Sequence, residues 1–322
     1  MLKWLARIML GIAVLLIAAF FIFRTPDTDR VAMRAKYGAD PSQYIAIDGQ
    51  LTVHLRDEGP RDAPAIILLH GSNADLHTWQ PWVDALKPDY RVIRYDQIGH
   101  GLTGPAPDGN YAIEAFVEDV DRVAETLGIE RFVLGGNSMG GGIAMAYALE
   151  HPEKLIGLVL VDASGAPVKR EQSGGNIGFA IAQMPLVNNL VTQITPRSII
   201  ERSLDQSVSN KAVVTPQAVD RYWELLRYPG NRAATLARFG QSREPFVAET
   251  VRDMYVPTLI MWGEEDALIP FAAAAWFAEH IPETTSVSYP AIGHLPMEEA
   301  PSRSAQNLRD WLANLELRTQ PS

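Results

Sequence analysis

A succession of short strand-like runs, most of them separated by helical patterns, constrains this chain more than any other feature. Ala65–His70 is almost uniformly apolar, as expected of a parallel strand covered on both faces. Similar runs recur at Arg91–Asp96, Arg131–Gly135, Leu158–Asp162, Pro257–Trp262 and Ser286–Tyr289. Helical patterns occupy Trp79–Leu86, Ala112–Leu127, Met139–Glu150, Phe271–His280 and Arg303–Leu315. Strands alternating with helices predict an α/β fold, a mostly parallel sheet flanked by helices. Ahead of them, Tyr44–Ile47, a turn at Asp48-Gly49 and Leu51–Arg56 read as strand, turn, strand.

One stretch breaks the alternation. From Ala163 to about Tyr255 no strand run is convincing, and Thr195-Pro196 and Thr215-Pro216 each read as an N-cap followed by proline at the first helical position. A helical cap inserted at 164–255 follows, between core segments 44–163 and 256–322. Its Phe179, Met184, Tyr222, Trp223, Tyr228, Phe239 and Phe246 are either the cap's own core or the wall of an apolar pocket.

Composition narrows the functional classes. The chain has 322 residues, 47% of them hydrophobic and 20% charged, which places it among globular proteins. A net charge of −10 argues against a sequence-independent nucleic-acid binder, which needs a basic surface. The absence of cysteine removes disulfides, thiolate zinc sites, iron–sulfur clusters and a cysteine nucleophile.

The N-terminus differs from the rest. Ile8–Phe23 carries no charge, and Trp4 and Leu5 extend it past Arg7, which can snorkel. Residues 1–24 therefore read as a transmembrane anchor and 25–43 as a juxtamembrane segment, with a short helix at Arg30–Tyr37. The alternative is a cleaved signal peptide, but the run ends in Phe20-Phe21-Ile22-Phe23 rather than in small residues. Basic residues on both flanks nearly balance the positive-inside rule. The short N-terminal tail favours a single pass through the inner membrane with the main domain extracytoplasmic.

Gly136-Asn137-Ser138-Met139-Gly140 follows a predicted strand and opens a predicted helix. That context singles out Ser138 as a nucleophile lifted on a strained turn, with glycines where side chains would clash. A glycine-rich turn for close helix packing is the plain alternative. A serine needs a base, and His294 stands in Gly293-His294-Leu295 after the last strand. The orienting acid is Asp266, following Trp262-Gly263-Glu264-Glu265; Glu264, Glu265 and Asp162 are its competitors. Nucleophile, acid and base in the order Ser138, Asp266, His294 is the chain order that goes with a G-x-S-x-G elbow. Oxyanion donors are expected from the backbone N–H of Met139 and from Ser72, with Asn73 as the neighbouring choice. His70 is expected to brace this loop, and His280 and His151 to sit at helix ends.

His70-Gly71-Ser72, Asp96-Gln97-Ile98-Gly99-His100-Gly101, Gly136–Gly140, Trp262–Asp266 and Gly293-His294 together resemble the α/β-hydrolase family over residues 44 to about 317. The resemblance implies that Asp96 and Gly99–Gly101 form a structural turn. Serine at the elbow departs from haloalkane dehalogenases and epoxide hydrolases, which use aspartate there. With the N-terminal apolar helix, the chain also looks like membrane-anchored bacterial esterases, lipases and phospholipase A-type enzymes. The expected function is a serine-dependent hydrolase of carboxylic esters, acting on acyl or lipid esters at a membrane. The competing readings are a C–C bond hydrolase of ring-cleavage products, an acyltransferase with the same triad, and a non-enzymatic binding protein on this fold. No metal and no cofactor is required by this chemistry. The expected partners are a small-molecule or lipid ester and the membrane, with no nucleic acid; a homodimer through the anchor and Arg30–Tyr37 stays open.

Overall fold

The computed structural model describes residues 2–47, 49, 51–168, 192–241 and 243–319. Eight strands form one sheet in the order β1-β2-β4-β3-β5-β6-β7-β8. They are β1 (Ser42–Ala46), β2 (Thr52–Glu58), β3 (Ala65–Leu69), β4 (Arg91–Tyr95), β5 (Phe132–Asn137), β6 (Leu155–Val161), β7 (Thr258–Gly263) and β8 (Thr284–Tyr289). The six strands from β3 onward pair in parallel, and the β1–β2 hairpin joins antiparallel through β4.

The helices are α1 (Leu2–Phe23), α2 (Arg30–Tyr37), α3 (Gln80–Leu86), α4 (Ile113–Thr126), α5 (Met139–Glu150), α6 (Arg197–Ser207), α7 (Pro216–Leu226), α8 (Asn231–Phe239), α9 (Ala248–Arg252), α10 (Ala272–His280), α11 (Pro296–Glu299) and α12 (Pro301–Thr319). The continuous apolar character of β3 has its expected consequence. Ile66 and Leu68 point to one face, among Trp79, Trp82, Val83 and Leu308. Ile67 and Leu69 point to the other, among Val120, Ile143 and Phe277. Both faces of the sheet are thus closed by helices, and Trp82 donates its indole N–H to Ser304 Oγ at 2.8 Å, tying α3 to α12.

Between β6 and β7 the described residues form helices, as the absence of strand runs predicts. The Thr215-Pro216 start is realised: Thr215 Oγ1 accepts the Ala218 N–H at 3.1 Å. At Thr195-Pro196 the helix begins one residue later, at Arg197. Thr195 is taken by other partners, since its N–H donates to Thr25 Oγ1 and its carbonyl accepts the Trp223 indole N–H. Phe179 and Met184 lie outside the described residues, as does Asp48 of the predicted hairpin turn. Tyr222 and Phe246 pack into the clusters of the main domain, and Tyr228 packs with Met33, Leu102 and Leu225. These aromatics seat the cap on the core. Charge also holds it there: Arg221 pairs with buried Asp75 at 3.2 Å and with Glu298 at 3.3 Å.

The segment after α1 is bound to the cap. Thr25 N–H donates to the Gln193 carbonyl and Thr28 N–H to the Arg227 carbonyl. Arg232 of α8 reaches the Thr25 carbonyl at 2.8 Å and Asp27 at 2.6 Å. Helix α2 has the predicted bounds, is capped by Asp29 through the Ala32 N–H at 2.8 Å, and brings Lys36 and Tyr37 to Glu224.

The transmembrane expectation is corrected here. Among the described residues no helix is long and apolar enough to cross a membrane. Helix α1 has 22 residues, but its uncharged part, Ile8–Phe23, accounts for sixteen of them, about 24 Å against roughly 30 Å of hydrocarbon. Arg7 already lies on the helix before this run starts. Leu15, Leu16, Ile17, Phe21, Ile22 and Phe23 are all exposed.

Candidate active site

Strands β4 and β5 flank β3 on opposite sides. The chain therefore leaves β3 in one direction and returns past it in the other, and ligands of open parallel sheets bind beyond the carboxyl ends of strands at such a reversal. The predicted residues meet there: Ser72 after β3, Ser138 after β5, Asp266 after β7 and His294 after β8.

Ser138 is the sharp turn between β5 and α5, with φ 54° and ψ −117°. That positive φ is strained for a residue with a Cβ. The glycines accommodate the turn: a Cβ at Gly136 would overlap the Gly140 carbonyl, and one at Gly71 would stand 3.2 Å from Ser138 Cβ. The loop after β3 therefore lies directly against Ser138. Helix α5 starts at Met139 with no side chain capping its first turn, so its N-terminal N–H groups and the positive end of its dipole face this point.

His294 is buried, and its Nδ1 lies 2.7 Å from Asp266 Oδ2. The other Asp266 oxygen accepts the backbone N–H groups of Leu268 at 2.7 Å and Ile269 at 3.0 Å. With the carboxylate so held, His294 donates through Nδ1 and keeps Nε2 as its acceptor nitrogen. Asn137, beside Ser138 in sequence, donates to the His294 carbonyl at 3.1 Å and to Val161 at 3.2 Å. The motif reading left Asn137 without a role; it fastens the histidine loop to the elbow. The His294 N–H also donates to the Ser207 carbonyl at the end of α6. Glu264 and Glu265 are exposed, and Glu264 accepts from Ser288.

Asp162, the reserve acid, stands behind Asp266 rather than on His294. Donor atoms of Asp162, Asp266 and His294 all lie within 4.8 Å of one another. Asp162 accepts the Gly263 N–H at 3.0 Å. Burial and the adjacent Asp266 charge push its carboxyl well above the usual carboxylate range, which favours the protonated acid beside the Asp266 carboxylate. The raised folded-state pKa means that the native protein binds more protons than the unfolded chain above pH ~4, so Asp162 costs stability as pH rises from there. Asp162→Asn keeps a neutral side chain and removes that dependence. Urea unfolding from pH 4 to 8 is expected to show the wild type losing ground to the variant as pH rises; a constant difference would mean that Asp162 titrates normally.

The loop after β3 turns at Gly71–Ala74, with Asn73 at φ 59°. His70 braces it as expected: Nδ1 donates to the Gly71 carbonyl at 2.8 Å, and Nε2 accepts the Gln97 N–H at 3.1 Å. Burial pushes its pKa down, in keeping with a neutral ring. Asp96 accepts the N–H groups of Leu76 and Leu102 and His54 Nδ1, so it belongs to a structural turn. His280 bonds the Trp276 carbonyl on its own helix. A cavity of about 290 Å³ lined by Ala148, Leu149, Pro152 and Met254 sits at the far end of α5, away from Ser138.

Comparison with known proteins agrees with this arrangement. The profile of the family described as "alpha/beta hydrolase fold" matches residues 64–301. The 2-hydroxymuconate semialdehyde hydrolase of Pseudomonas putida is 27% identical over 282 residues, covering 84% of this chain and 93% of that protein. Among solved structures, a thermophilic esterase from Thermogutta terrifontis (malate bound) superposes with a TM-score of 0.70 at 27% identity, covering 85% of this chain and 98% of that one. A membrane phospholipase A, described as a bacterial virulence factor, superposes with a TM-score of 0.75 at 24% identity, covering 98% and 99%. That last likeness is one of fold. The sheet order, the strained serine between β5 and α5, and a family match that includes both the loop after β3 and His294 lead to one conclusion: the chain belongs to the α/β-hydrolase fold family.

Proposed function

We propose that this protein is a serine-dependent hydrolase of carboxylic esters, with acyl or lipid esters as its substrate class. The observation that carries the reading is Ser138, strained at the mouth of α5 and joined through Asn137 to the loop of the His294–Asp266 pair. Ser138 Oγ adds to the ester carbonyl carbon and gives its proton to His294 Nε2. The carbonyl oxygen becomes an oxyanion, received by the N–H groups of Met139 and Ser72, while Asp266 stabilises the imidazolium. Collapse expels the alcohol, which takes the proton from His294. Water, deprotonated by His294, then releases the acid and restores Ser138.

A second reading has its own support. The Pseudomonas putida relative, at 27% identity, is a 2-hydroxymuconate semialdehyde hydrolase, which favours cleavage of a C–C bond by the same three residues. Acyl transfer to an acceptor other than water uses the same acyl-enzyme. For α1 we propose contact with a lipid surface: apolar side chains are exposed on successive positions and hence all round the helix. The fold likeness to the membrane phospholipase A covers 98% of the chain and so takes in this helix.

One assay separates the readings. The full chain, in detergent and then with phosphatidylcholine vesicles, is offered p-nitrophenyl esters from acetate to palmitate and a ring-cleavage dienoate, with Ser138→Ala as blank. Ser138-dependent ester turnover, with protein sedimenting on the vesicles, is the expected result. Dienoate cleavage without ester turnover would transfer the assignment to the C–C hydrolase. Protein left in the supernatant would remove the lipid role of α1.

A further inference from the structure

Arg238, on cap helix α8, is 3% exposed and carries a full positive charge into the core of the molecule. Its Nη2 donates to Ser72 Oγ at 2.9 Å and to Asn73 Oδ1 at 3.0 Å. Its Nη1 donates to His100 Nε2 at 2.6 Å. One turn earlier on α8, Thr235 Oγ1 donates to the same Asn73 oxygen at 3.0 Å, and Asn231 donates to the Gly101 carbonyl at 3.0 Å. Among the described residues no carboxylate pairs with Arg238, and its Nε has no partner. Burial and neighbouring Arg243 push its pKa down to about 9, which leaves it a cation at neutral pH.

This arrangement is expensive unless negative charge arrives beside it, because a desolvated cation without an anion is unfavourable. The two residues it grips are the ones from which the second oxyanion donor is drawn. Resting on the reading of Ser138 given above, we propose that Arg238 is a positioning residue for the oxyanion hole: from the cap it fixes the Ser72-Asn73 turn and sets an uncompensated charge where the carbonyl oxygen becomes negative. The donors are complete only while α8 is seated on the loop. The site thus depends on a cap side chain that is neither nucleophile, base nor acid. Two contributions follow. The hydrogen bonds hold the N–H direction, and the charge favours the tetrahedral state over the neutral ester.

The test uses the full-length enzyme and its best p-nitrophenyl ester. Arg238→Gln is expected to lower kcat about 100- to 300-fold, in the lower part of the range for disabling one oxyanion donor, and to change KM less than about threefold. Arg238→Lys is expected to fall between Gln and wild type. Binding of a trifluoromethyl ketone of matching chain, which forms a charged adduct with Ser138, should weaken in parallel with kcat/KM. Binding of the corresponding secondary alcohol, which forms none, should be unchanged. A purely structural role would weaken ketone and alcohol alike, or raise KM with kcat preserved, and either result overturns the proposal. If Arg238→Gln does not fold, Thr235→Val removes the other α8 bond to Asn73 while sparing the charge. It should give a smaller loss of the same kind, again in kcat and ketone binding alone; wild-type kcat and ketone affinity in that variant would overturn it. Lack of ester turnover by the wild type would refute the ester reading and not this one. The same variants are then read on dienoate cleavage, where addition to a carbonyl develops charge on the same oxygen.

Discussion

Ser138→Ala is expected to reduce kcat on any ester substrate by about 10⁴-fold or more while leaving the fold intact. The fold stays intact for a conformational reason. Ser138 holds φ at 54°, and the strain of that angle comes from the Cβ, which alanine retains. The only loss is Oγ. The residual rate should still exceed the uncatalysed rate, because Met139, the Ser72 loop and the binding surface remain. Circular dichroism and the urea midpoint should match the wild type. A variant with turnover near wild type would show that the chemistry does not pass through Ser138. Ser138→Gly is a useful contrast: glycine relieves the positive φ, so it should be equally inactive yet no less stable. That pairing, inactivity without instability, is what a site that stores strain for function predicts.

Much of the core was legible because a single physical requirement shapes it. Strands covered on both faces are expected to be apolar, and β3 and β6 are throughout; β4 departs from this with buried Arg91 and Arg94, which pair with Asp57 and Glu58. The helix bounds of α2 and α5 also follow directly from the pattern. What periodicity does not contain is lateral order. Nothing in the sequence of β4 says that it stands between β2 and β3, yet this placement puts the ends of β3 and β5 side by side. The three residues Ser138, Asp266 and His294 were readable because each sits at a strand end in a local motif. Asn137 lies within the same motif, but its bond to the His294 carbonyl spans 157 positions. Arg238 was invisible for a related reason. In a cap of mixed polarity an arginine reads as a solvated charge, and only the docking of α8 on the Ser72 loop buries it. The spanning expectation differs in kind: it extends the uncharged run Ile8–Phe23 past Arg7 to Trp4 and Leu5, whereas among the described residues no helix is long and apolar enough to cross a membrane.

The buried acids allow the sharpest comparison between two similar side chains. Asp266→Asn is expected to lower kcat by about 10⁴-fold, and Asp162→Asn by less than about tenfold. Asp266 accepts two backbone N–H groups on one oxygen and His294 Nδ1 on the other. Asparagine can keep its oxygen on Leu268 and Ile269, so its amide faces Nδ1. An amide donates, which forces Nδ1 to become the acceptor and moves the imidazole proton to Nε2, the nitrogen that must receive the Ser138 proton. The geometry survives and the chemistry does not. At Asp162 the same substitution changes little, because burial and Asp266 already push that carboxyl toward its neutral form, and an amide is neutral in the same place. If Asp162 were the acid that serves His294, the two variants would exchange places. Pre-steady-state acylation with a chromogenic ester measures both, and Glu264→Gln and Glu265→Gln, on exposed positions, should leave the rate unchanged. Equal losses at Asp162 and Asp266 would show a shared charge rather than one carboxylate backed by one carboxylic acid.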